Sequence, residues 1–388
     1  MKEVTVTDSV LYVGCDDRDI DLFESQYHVP NGVTYNSYVI MDEKIAVMDT
    51  VDPRAMEEWM QNVERVLDGK EPDYLVISHL EPDHAGSIQR IAERYPAMKL
   101  VSNAKVFAML PQFFNFDLTG RTVTVGEGDS LELGSHTLHF VMAPMVHWPE
   151  VMVEYESSEK ILFAADGFGK FGAMDAEEEW TDEARRYFIN IVGKYGPQVQ
   201  ALLKKAATLD IAMICPLHGP VLKENLGFYI DKYLKWSSYE PEEEGVVVAC
   251  ASIHGNTRKA MQRFVEILRE KGAKNVVFFD LARDDMAEAV ASAYRYDTLV
   301  TACCTYDANL FPCMEDFLYH LKINNFQNRK VGIVENGSWA PMAGKQMRSY
   351  FEGMKNIRIA DPMVTIRSTM TKENEEEMKA LADALLAK

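Results

Sequence analysis

The feature that most constrains the fold is a change of rhythm near residue 240. Up to that point strand-like runs are broken by turns, whereas from Val246 onward short apolar strands alternate with amphipathic helices. The stretch Ser237–Gly245 between them reads SSYEPEEEG, a polar, acidic composition interrupted by proline. Such a composition is typical of an interdomain linker, although an exposed surface loop would look similar. We therefore expect two domains, at residues 1–244 and 245–388.

The first half is expected to be a sandwich of two sheets with helices outside, because strand clusters are interleaved with a few helices. Helices are predicted at Arg54–Leu67 and Ser87–Tyr95. The predicted strands are Val33–Ile40, Lys44–Met48, Tyr74–Ile77, Lys99–Ser102, Thr122–Val125, Leu138–Ala143, Val151–Tyr155, Ile161–Ala164 and Ile211–Ile214.

In the second half, the alternation of strands and helices over ~144 residues predicts a doubly wound parallel sheet of five strands. The predicted strands are Val246–Ala251, Asn275–Leu281, Thr298–Cys304, Lys330–Glu335 and Ile357–Ala360. The predicted helices between and after them are Thr257–Lys271, Met286–Tyr294, Pro312–Leu321, Met342–Met354 and Lys372–Ala387. The expected strand order is 2-1-3-4-5.

Charge and composition exclude several classes of function. The 388 residues carry 40 Lys+Arg against 60 Asp+Glu, a formal net charge of −20, which disfavours nucleic-acid and membrane-surface partners. No apolar run approaches the ~18–20 residues that span a bilayer, and the N-terminal residues lack the apolar core of a signal peptide, so we expect a cytoplasmic protein. Six cysteines without a CxxC pair argue against a disulfide framework or a thiolate zinc site.

Metal-competent side chains are concentrated after the predicted strand Tyr74–Ile77. His79, Glu81, Asp83 and His84 lie within six residues. Residues at i, i+2 and i+4 of an extended loop project to one side, so His79, Glu81 and Asp83 are expected to converge on one point. The alternative is that these are ordinary solvent-exposed polar residues, but that does not explain four ligand-type residues within six positions.

Compatible partners follow three later strands. His147, Asp166 and His218 each come at or just after a strand end, where a sheet scaffold gathers functional side chains. Four imidazoles and three carboxylates suffice for two metals, with Asp166 as the candidate bridge. Glu81 raises the oxygen count and favours iron over zinc, although spacing alone leaves the metal open.

The motif His-x-Glu-x-Asp-His, followed by His147, Asp166 and His218, resembles the metallo-β-lactamase-like domain of flavodiiron proteins (A-type flavoproteins). The resemblance implies an αββα sandwich. It also implies that His79, Glu81, His147 and Asp166 hold one iron, and that Asp83, His84, Asp166 and His218 hold the other. In some members of the family the histidine at the position of His84 turns away. His28 and Tyr195 are expected near the substrate pocket, behind the ligands.

Three loops of the second half are expected to bind a flavin. Ser252–Thr257 opens a predicted helix with hydroxyls, an amide and free backbone N–H groups, which suits an anion; N-capping alone would also explain it. The segment resembles the phosphate loop of flavodoxins, and the loops after the third and fourth strands carry Tyr306 and Trp339, which can contact a flat ring. The full set of expected FMN-binding residues is Ser252, His254, Gly255, Asn256, Thr257, Cys304, Thr305, Tyr306, Asp307, Asn309, Asn336, Gly337, Ser338 and Trp339.

The resemblance spans the whole chain and implies the two-domain class of flavodiiron proteins. Its implied activity is reduction of O₂ to water, of NO to N₂O, or both, with FMN relaying electrons to two non-haem irons in anaerobe detoxification. It implies a head-to-tail homodimer, or a dimer of dimers, in which Glu81 and Trp148 of one subunit contact the FMN of the other. The electron donor could be rubredoxin, a flavin reductase or a reduced deazaflavin.

Two other functions fit parts of the sequence. A dizinc hydrolase with an accessory flavodoxin domain would use the same ligand positions to activate water, although Glu81 argues against it. An electron carrier in which only the flavodoxin half works is the second alternative.

Overall fold

The computed structural model describes residues 4–387. The chain forms two compact units: unit 1 holds the chain up to Phe188 and Pro197–Leu234, and unit 2 holds Ile189–Gly196 and the chain from Lys235 onward. The division at 234/235 lies ten residues before the expected boundary at 244/245. The expectation also did not separate 189–196 from the first half. No helix among the described residues is long and apolar enough to cross a membrane.

Unit 1 is built from short strands with few helices. Its strands are β1 (Val10–Tyr12), β2 (Cys15–Asp17), β3 (Leu22–Phe23), β4 (Tyr27–His28), β5 (Val33–Tyr35), β6 (Tyr38–Ile40), β7 (Ala46–Met48), β8 (Tyr74–Val76), β9 (Lys99–Asn103), β10 (Thr122–Val125), β11 (Ser130–Glu132), β12 (Thr137–Met142), β13 (Met152–Glu156), β14 (Ile161–Phe163) and β15 (Met213–Cys215). Its helices are α1 (Met56–Leu67), α2 (Pro82–Ala85), α3 (Ile88–Arg94), α4 (Ala104–Met109), α5 (Trp180–Tyr187), most of α6 (Gly196–Ala206) and most of α7 (Leu226–Ser237).

The strands of unit 1 form two main sheets, with orders β1-β6-β7-β8-β9-β10 and β11-β12-β13-β14-β15. Tyr38, Ile40 and Val76 of the first sheet pack in one core with Phe140 and Phe163 of the second. Removal of this apolar surface from water, at ~25 cal/mol per Å², holds the two sheets together. The expected αββα sandwich is confirmed.

The outer helices follow from amphipathic spacing. In α1 the buried residues Trp59, Met60, Val63 and Leu67 recur at three- and four-residue intervals, which places them on one helical face. One strand prediction needs correction, because the run 33–40 forms two strands, β5 and β6, that belong to different sheets.

Unit 2 is a parallel sheet covered by helices. Its strands are β16 (Glu243–Ala251), β17 (Val276–Asp280), β18 (Tyr296–Tyr306), β19 (Asn309–Leu310), β20 (Arg329–Asn336), β21 (Ile357–Ile359) and β22 (Val364–Ile366), and its helices are α8 (Asn256–Glu270), α9 (Met286–Arg295), α10 (Pro312–Ile323), α11 (Ala343–Glu352) and α12 (Lys372–Leu386).

The strand order β17-β16-β18-β20-β21 is the 2-1-3-4-5 order expected for a doubly wound sheet. The fifth strand position is divided, because β21 and β22 both pair in parallel with β20. Only the first of these two segments was predicted from the sequence. The carboxyl ends of β16, β18, β20 and β22 therefore carry the loops in which a ligand of such a sheet binds.

Candidate functional site

The loop between β8 and α2 carries the first metal-competent residues. Its expected extended course, with His79, Glu81 and Asp83 converging on one point, is wrong. Pro82 begins a helical turn that runs to Ala85, so Asp83 follows a different course from His79 and Glu81. The four residues divide between two neighbouring clusters, one containing His79 and Glu81 and the other containing Asp83 and His84.

The first cluster comprises His79, Glu81, His147 and Asp166. His147 Nε2 lies 2.7 Å from Glu81 Oε2 and 3.1 Å from Asp166 Oδ2. His79 Nε2 lies 3.3 Å from the same Asp166 oxygen and 3.7 Å from Glu81 Oε2. Two imidazole nitrogens and two carboxylate oxygens thus surround a single small volume.

The second cluster comprises Asp83, His84 and His218. Asp83 Oδ2 lies 3.3 Å from His84 Nε2 and 3.2 Å from His218 Nε2. The two Nε2 atoms are only 2.9 Å apart. His84 points into this cluster, in the orientation of a ligand.

Asp166 connects the two clusters through its two oxygens. Oδ2 faces His79 and His147, whereas Oδ1 lies 3.4 Å from His84 Nε2. Its side chain is almost fully buried just after β14. A carboxylate with one oxygen toward each set of nitrogen donors has the geometry of a bridging ligand.

Backbone groups orient the donors of the second cluster. His218 Nδ1 donates to the Thr34 carbonyl at 2.6 Å, which leaves Nε2 as the ring nitrogen that faces Asp83 and His84. The loop that carries His218 is fixed by Asn36, whose amide donates to the carbonyls of Pro216 and Gly219 at 2.8 Å each.

The loop that carries the first cluster is fixed from behind. The Leu80 N–H donates to Glu150 Oε1 at 3.0 Å, and the Ser78 hydroxyl donates to Asp49 Oδ2 at 2.6 Å. These contacts hold the residues on either side of His79. Glu150 and Asp49 are not predictable from the sequence, because a carboxylate that accepts hydrogen bonds from a loop has no local signature.

The metal-free electrostatics of the first cluster are those of paired imidazolium and carboxylate groups. Burial opposes the charged form of His147, but Glu81 and Asp166 outweigh burial and raise its pKa to about 10. Asp166 and Glu81 likewise raise the pKa of His79 well above its usual value despite burial. His79 and His147 in turn hold the pKa of Asp166 well below its usual range, again against burial.

The second cluster differs in charge. Burial, reinforced by the neighbouring His218, lowers the pKa of His84 well below its usual value, so its ring is neutral. Burial and the charge of Glu81 raise the pKa of Asp83 to about 6. Burial opposes the charged form of His218, but Asp83 outweighs burial and raises the pKa of that ring. A metal at this cluster would therefore find His84 already neutral but would compete with a proton on His218.

Buried polar atoms without partners support metal binding at both clusters. Among the described residues, no hydrogen-bond partner is present for His79 Nε2, for Asp166 Oδ1 or for either carboxylate oxygen of Asp83. Such buried groups cost free energy unless something satisfies them. Four imidazoles with three carboxylates form a donor set that suits iron or manganese. Zinc is more typical of sets with fewer oxygen ligands. The residues present therefore fit a pair of divalent metal ions.

Aromatic rings that the sequence analysis did not identify enclose the second cluster. Phe23, Tyr187 and Tyr35 lie with ring centroids 5.4, 5.3 and 6.3 Å from that of His218. Phe171 packs against Phe23 at 5.5 Å. This wall excludes water from one side of the site, and its members are dispersed in sequence from residue 23 to residue 187.

The two residues expected near the substrate pocket lie in a hairpin strand and in a short 3-10 helix. His28 is exposed in β4, paired with Leu22. On the same hairpin Glu24 is exposed as a residue, but partial desolvation of its carboxyl group and the charge of Glu81 raise its pKa to about 7. Tyr195 is half-buried in a short 3-10 helix within the segment assigned to unit 2. A pocket role for His28 or Tyr195 remains a prediction.

A third group of metal-type residues lies apart from this centre. His136, Glu156 and Glu159 also bring ligand atoms together. Both ring nitrogens of His136 are already engaged, Nδ1 with Asp42 Oδ2 at 2.6 Å and Nε2 with Ser9 Oγ at 3.1 Å. The group is therefore a hydrogen-bonded network in which the imidazole has no nitrogen left for a metal.

A cavity of ≈ 470 Å³ lies at the strand ends of unit 2. It is lined by twelve of the expected FMN-binding residues, namely Ser252, His254, Asn256, Thr257, Cys304, Thr305, Tyr306, Asp307, Asn336, Gly337, Ser338 and Trp339. This volume is in the range of cofactor pockets. The three loops expected to meet at the sheet edge do enclose one cavity.

The first loop presents a helix N-terminus to this cavity. Gly255 precedes α8 with φ +91°, and within the described chain no side chain caps the helix. The Gly255 N–H donates to Ser252 Oγ at 3.1 Å, which tightens the turn. The N–H groups at the start of α8 remain available for an anion such as a phosphate.

The two aromatic residues of the cavity are exposed. Trp339 is 83% exposed and Tyr306 is 44% exposed, although large aromatic side chains are usually buried. Planar groups standing open at the mouth of a cavity suit stacking on a flat ring. Gly337 fits closely within its own loop, because a Cβ there would lie 3.1 Å from Pro341.

The cavity differs from the expectation at a few positions. Gly255 and Asn309 do not line it; the turn at Asp307 carries Asn309 back into β19, opposite Tyr306. Ser368, in the loop after β22, does line it and was missed with that strand. The Ser368 N–H donates to Asn336 Oδ1 at 2.8 Å, and this hydrogen bond joins the loop after β22 to the end of β20. The remaining residues not expected in the lining are Ile253, Ala308 and Ala340.

Comparisons with known proteins find similarity across both units of the chain. Residues 33–219 match the family model described as ODP family beta lactamase. The chain is 27% identical over 354 residues to the anaerobic nitric oxide reductase flavorubredoxin of Aliivibrio fischeri, covering 87% of this chain and 70% of that protein.

Two solved structures superpose on nearly the whole chain. The rubredoxin oxygen:oxidoreductase of Desulfovibrio gigas has a TM-score of 0.91 at 25% identity, covering 99% of this chain and 98% of its own. The flavodiiron protein of Giardia intestinalis has a TM-score of 0.93 at 24% identity, covering 99% and 96%. The β-lactamase-like unit carries two neighbouring clusters of metal-type residues and the flavodoxin-like unit carries a loop-lined cavity, and the chain is similar to flavodiiron proteins over nearly its whole length.

Proposed function

We propose that this protein reduces a diatomic gas at a pair of iron ions, with electrons delivered through FMN. The overall reactions are O₂ with four electrons and four protons to two waters, or two NO with two electrons and two protons to N₂O and water. Iron changes its redox state by one electron, and FMN accepts and releases electrons singly or in pairs. The observation that carries the proposal is Asp166, whose two oxygens face two separate clusters of nitrogen donors.

The protein's own residues would position the two ions and control access of water. His79, Glu81 and His147 would hold one iron and Asp83, His84 and His218 the other, with Asp166 shared. The Thr34 carbonyl fixes the ring of His218, and Phe23, Tyr35 and Tyr187 enclose it. A small neutral gas enters such surroundings more readily than an ion, because burial of an uncompensated charge is costly.

FMN would occupy the cavity of unit 2. Its phosphate would lie at the start of α8, beside Ser252, Asn256 and Thr257, where uncapped N–H groups favour an anion. Its ring would lie against Tyr306 and Trp339. This arrangement is supported by the size of the cavity and by the exposure of both rings.

We propose a head-to-tail homodimer, or a dimer of dimers, in which the FMN of one subunit meets the metal centre of the other. Trp148, directly after His147, is half-buried and lies 6.3 Å from the ring of Phe113, which is itself 38% exposed. Trp148 and Glu81 are the residues we place in contact with the partner's flavin. Sedimentation of the holoprotein tests the dimer, and loss of flavin-to-iron electron transfer in Trp148→Ala tests the contact.

The electron donor would be a small reductant that docks near the flavin. Rubredoxin is the first donor to test, because the names of the Desulfovibrio and Aliivibrio relatives both refer to it; a flavin reductase and a reduced deazaflavin are the other donors. We place the protein in the cytoplasm, since all six cysteines are free, as in a reducing compartment.

The test is anaerobic reduction of the purified protein followed by O₂ or NO addition, with iron and FMN quantified on the same sample. We expect two irons and one FMN per chain and consumption of at least one gas. Two zincs with hydrolytic turnover would establish the dizinc hydrolase instead. Full gas consumption by His79→Ala would leave only the flavin half at work and contradict the metal-centred proposal.

A further inference from the structure

Unit 1 contains a small apolar cavity that none of the functions above uses. Its volume is ≈ 30 Å³, more than the ~10–15 Å³ that a single water occupies by this measure. It lies among side chains of β12, β13, β14, α6 and α7. The lining residues are Val141, Val146, Val153, Leu162, Ala164, Gly167, Phe168, Val199, Leu202, Leu203, Ala206, Leu209 and Tyr233.

The cavity borders the loops that carry two of the proposed iron ligands. Val146 directly precedes His147, and Gly167 and Phe168 directly follow Asp166. Because consecutive Cα atoms are ~3.8 Å apart, the wall of the cavity and the backbone of the metal centre are the same stretches of chain. The loops that carry His147 and Asp166 thus also form part of the cavity wall.

The chemistry of the wall selects neutral, apolar occupants. The lining side chains are aliphatic or aromatic, and the hydroxyl of Tyr233 accepts a hydrogen bond from the Phe168 N–H at 2.6 Å. The ring of Tyr233 also stacks on that of Phe168, with centroids 4.3 Å apart. A water molecule needs two to four polar partners, so apolar cavities of this kind stay dry and admit gases such as xenon.

The residues that line the cavity differ in their exposure to solvent. Val141, Leu202, Ala206 and Leu209 are half-buried, whereas Val146, Ala164 and Phe168 beside the metal loops are buried. The part of the wall formed by α6 is therefore closer to solvent than the part formed by the ligand loops. This is the order that a path for a small molecule from solvent to the centre requires.

We propose that this cavity holds the diatomic gas on its way to the metal centre. The inference rests on the proposed function, because it assigns the cavity to the substrate of that reaction. O₂ and NO are neutral and weakly polar, so they partition from water into dry apolar space, whereas the protons and water of the reaction do not. The gas would then reach the metals by a route separate from theirs.

Pressurising crystals of the holoprotein with krypton and xenon tests the cavity directly. We expect noble-gas density between Phe168 and Leu203. Ordered water there, or noble gas bound only elsewhere, would overturn the proposal. This readout does not depend on turnover.

Kinetics of cavity-filling variants test the route. Leu203→Phe fills the cavity from a buried position of α6, and Ala206→Leu fills it from a half-buried position of the same helix with a smaller change. We expect a rise of about fivefold or more in KM for the gas with kcat unchanged, because access is hindered and the chemistry is not. Gln198→Phe is the matched control, since residue 198 lies on the same helix, is exposed and does not line the cavity.

The outcomes separate the two proposals. An unchanged KM in both filling variants, or the same rise in Gln198→Phe, would overturn the route. Lower kcat together with lost iron in the filling variants would mean that they act through packing, which would also overturn it. If the unmodified holoprotein consumes neither gas, the proposed function fails, whatever the noble-gas density shows.

Discussion

The metal centre and the flavin cavity differ in the kinds of groups that line them. The first gathers seven charged or ionisable side chains in a buried volume, with distances of 2.7–3.7 Å among their ligand atoms. The second is a ≈ 470 Å³ cavity formed by loops, a helix N-terminus and two exposed rings. A site for an ion concentrates its binding energy in a few atoms, whereas a site for a large planar molecule distributes it over many contacts. Single substitutions should therefore affect the two sites very differently.

The largest effect is expected from Asp166→Ala. Because Asp166 faces both clusters, we expect loss of both irons and a fall in gas consumption of at least ~100-fold, since even groups behind metal ligands account for 10–100-fold. Iron per chain is measured alongside activity. FMN content should not change.

Asp210→Ala is the matched control for that variant. Asp210 is exposed and pairs only with Lys160 among the ion pairs of the described chain. It should retain both irons and full activity. An Asp166→Ala protein that still carried two irons would refute the bridging role.

The next contrast is in the pH dependence of binding. In the metal-free chain the pKa of His147 is raised to about 10 and that of His79 is also raised. Both rings are therefore in the positively charged imidazolium form at neutral pH. A metal must displace these protons, and its affinity for the first cluster should rise about tenfold or more per pH unit between pH 6 and 8. Calorimetry in buffers of different ionisation enthalpy counts the protons released. A pH-independent metal affinity would contradict the imidazolium pairs.

A smaller effect is expected from Trp339→Ala in the flavin cavity. Loss of one stacking partner should weaken FMN binding by about 3–10-fold, corresponding to ~0.5–1.5 kcal/mol, while the iron content stays at two per chain. Flavin fluorescence titration of the apoprotein measures it. Tyr319→Ala is the control, because Tyr319 is 53% exposed on α10 and does not line the cavity. Complete loss of FMN in Trp339→Ala would mean that binding is concentrated in one residue after all.

The smallest effect concerns the third group of residues, around His136. The Asp42–His136 hydrogen bond, 2.6 Å long, should contribute about 2 kcal/mol, as hydrogen bonds to charged groups do. His136 and nearby backbone N–H groups lower the pKa of Asp42 despite some desolvation. The contribution is therefore present above the unfolded pKa of ~4 and lost as pH falls through the lower folded value.

Asp42→Asn tests this pair. It should lower stability at pH 7 by chemical denaturation and have a progressively smaller effect in acid, with unchanged metal content. A third metal ion in the unmodified protein, lost in this variant, would show that the group is a metal site and not a hydrogen-bonded network.

The sequence was most informative where chemistry depends on residue type. Histidines and carboxylates at strand ends are visible without a structure, and so is the alternation of strands and helices in unit 2. The course of the loop at 78–84 was not, because Pro82 is compatible both with an extended loop and with the first turn of a helix. That choice decides which side chains share a metal.

Contacts distant in sequence account for the other differences. The aromatic wall around His218 is assembled from four separate segments, each of which has an ordinary apolar composition. Ser368 was missed because β22 has only three residues, and short strands give little periodic signal. Glu24 comes close to Glu81 through a hairpin whose two strands have two residues each.

The assignment of 189–196 to unit 2 bears on how the protein can be dissected and made. The chain passes from one unit to the other three times, at 188/189, 196/197 and 234/235. A fragment ending at residue 244 would contain 189–196 without most of the chain with which that segment packs. During synthesis, the same eight residues emerge early and must wait for their neighbours from the C-terminal part. The two units are therefore not consecutive segments of the chain that can be exchanged independently. A chimera that contains unit 2 should include residues 189–196.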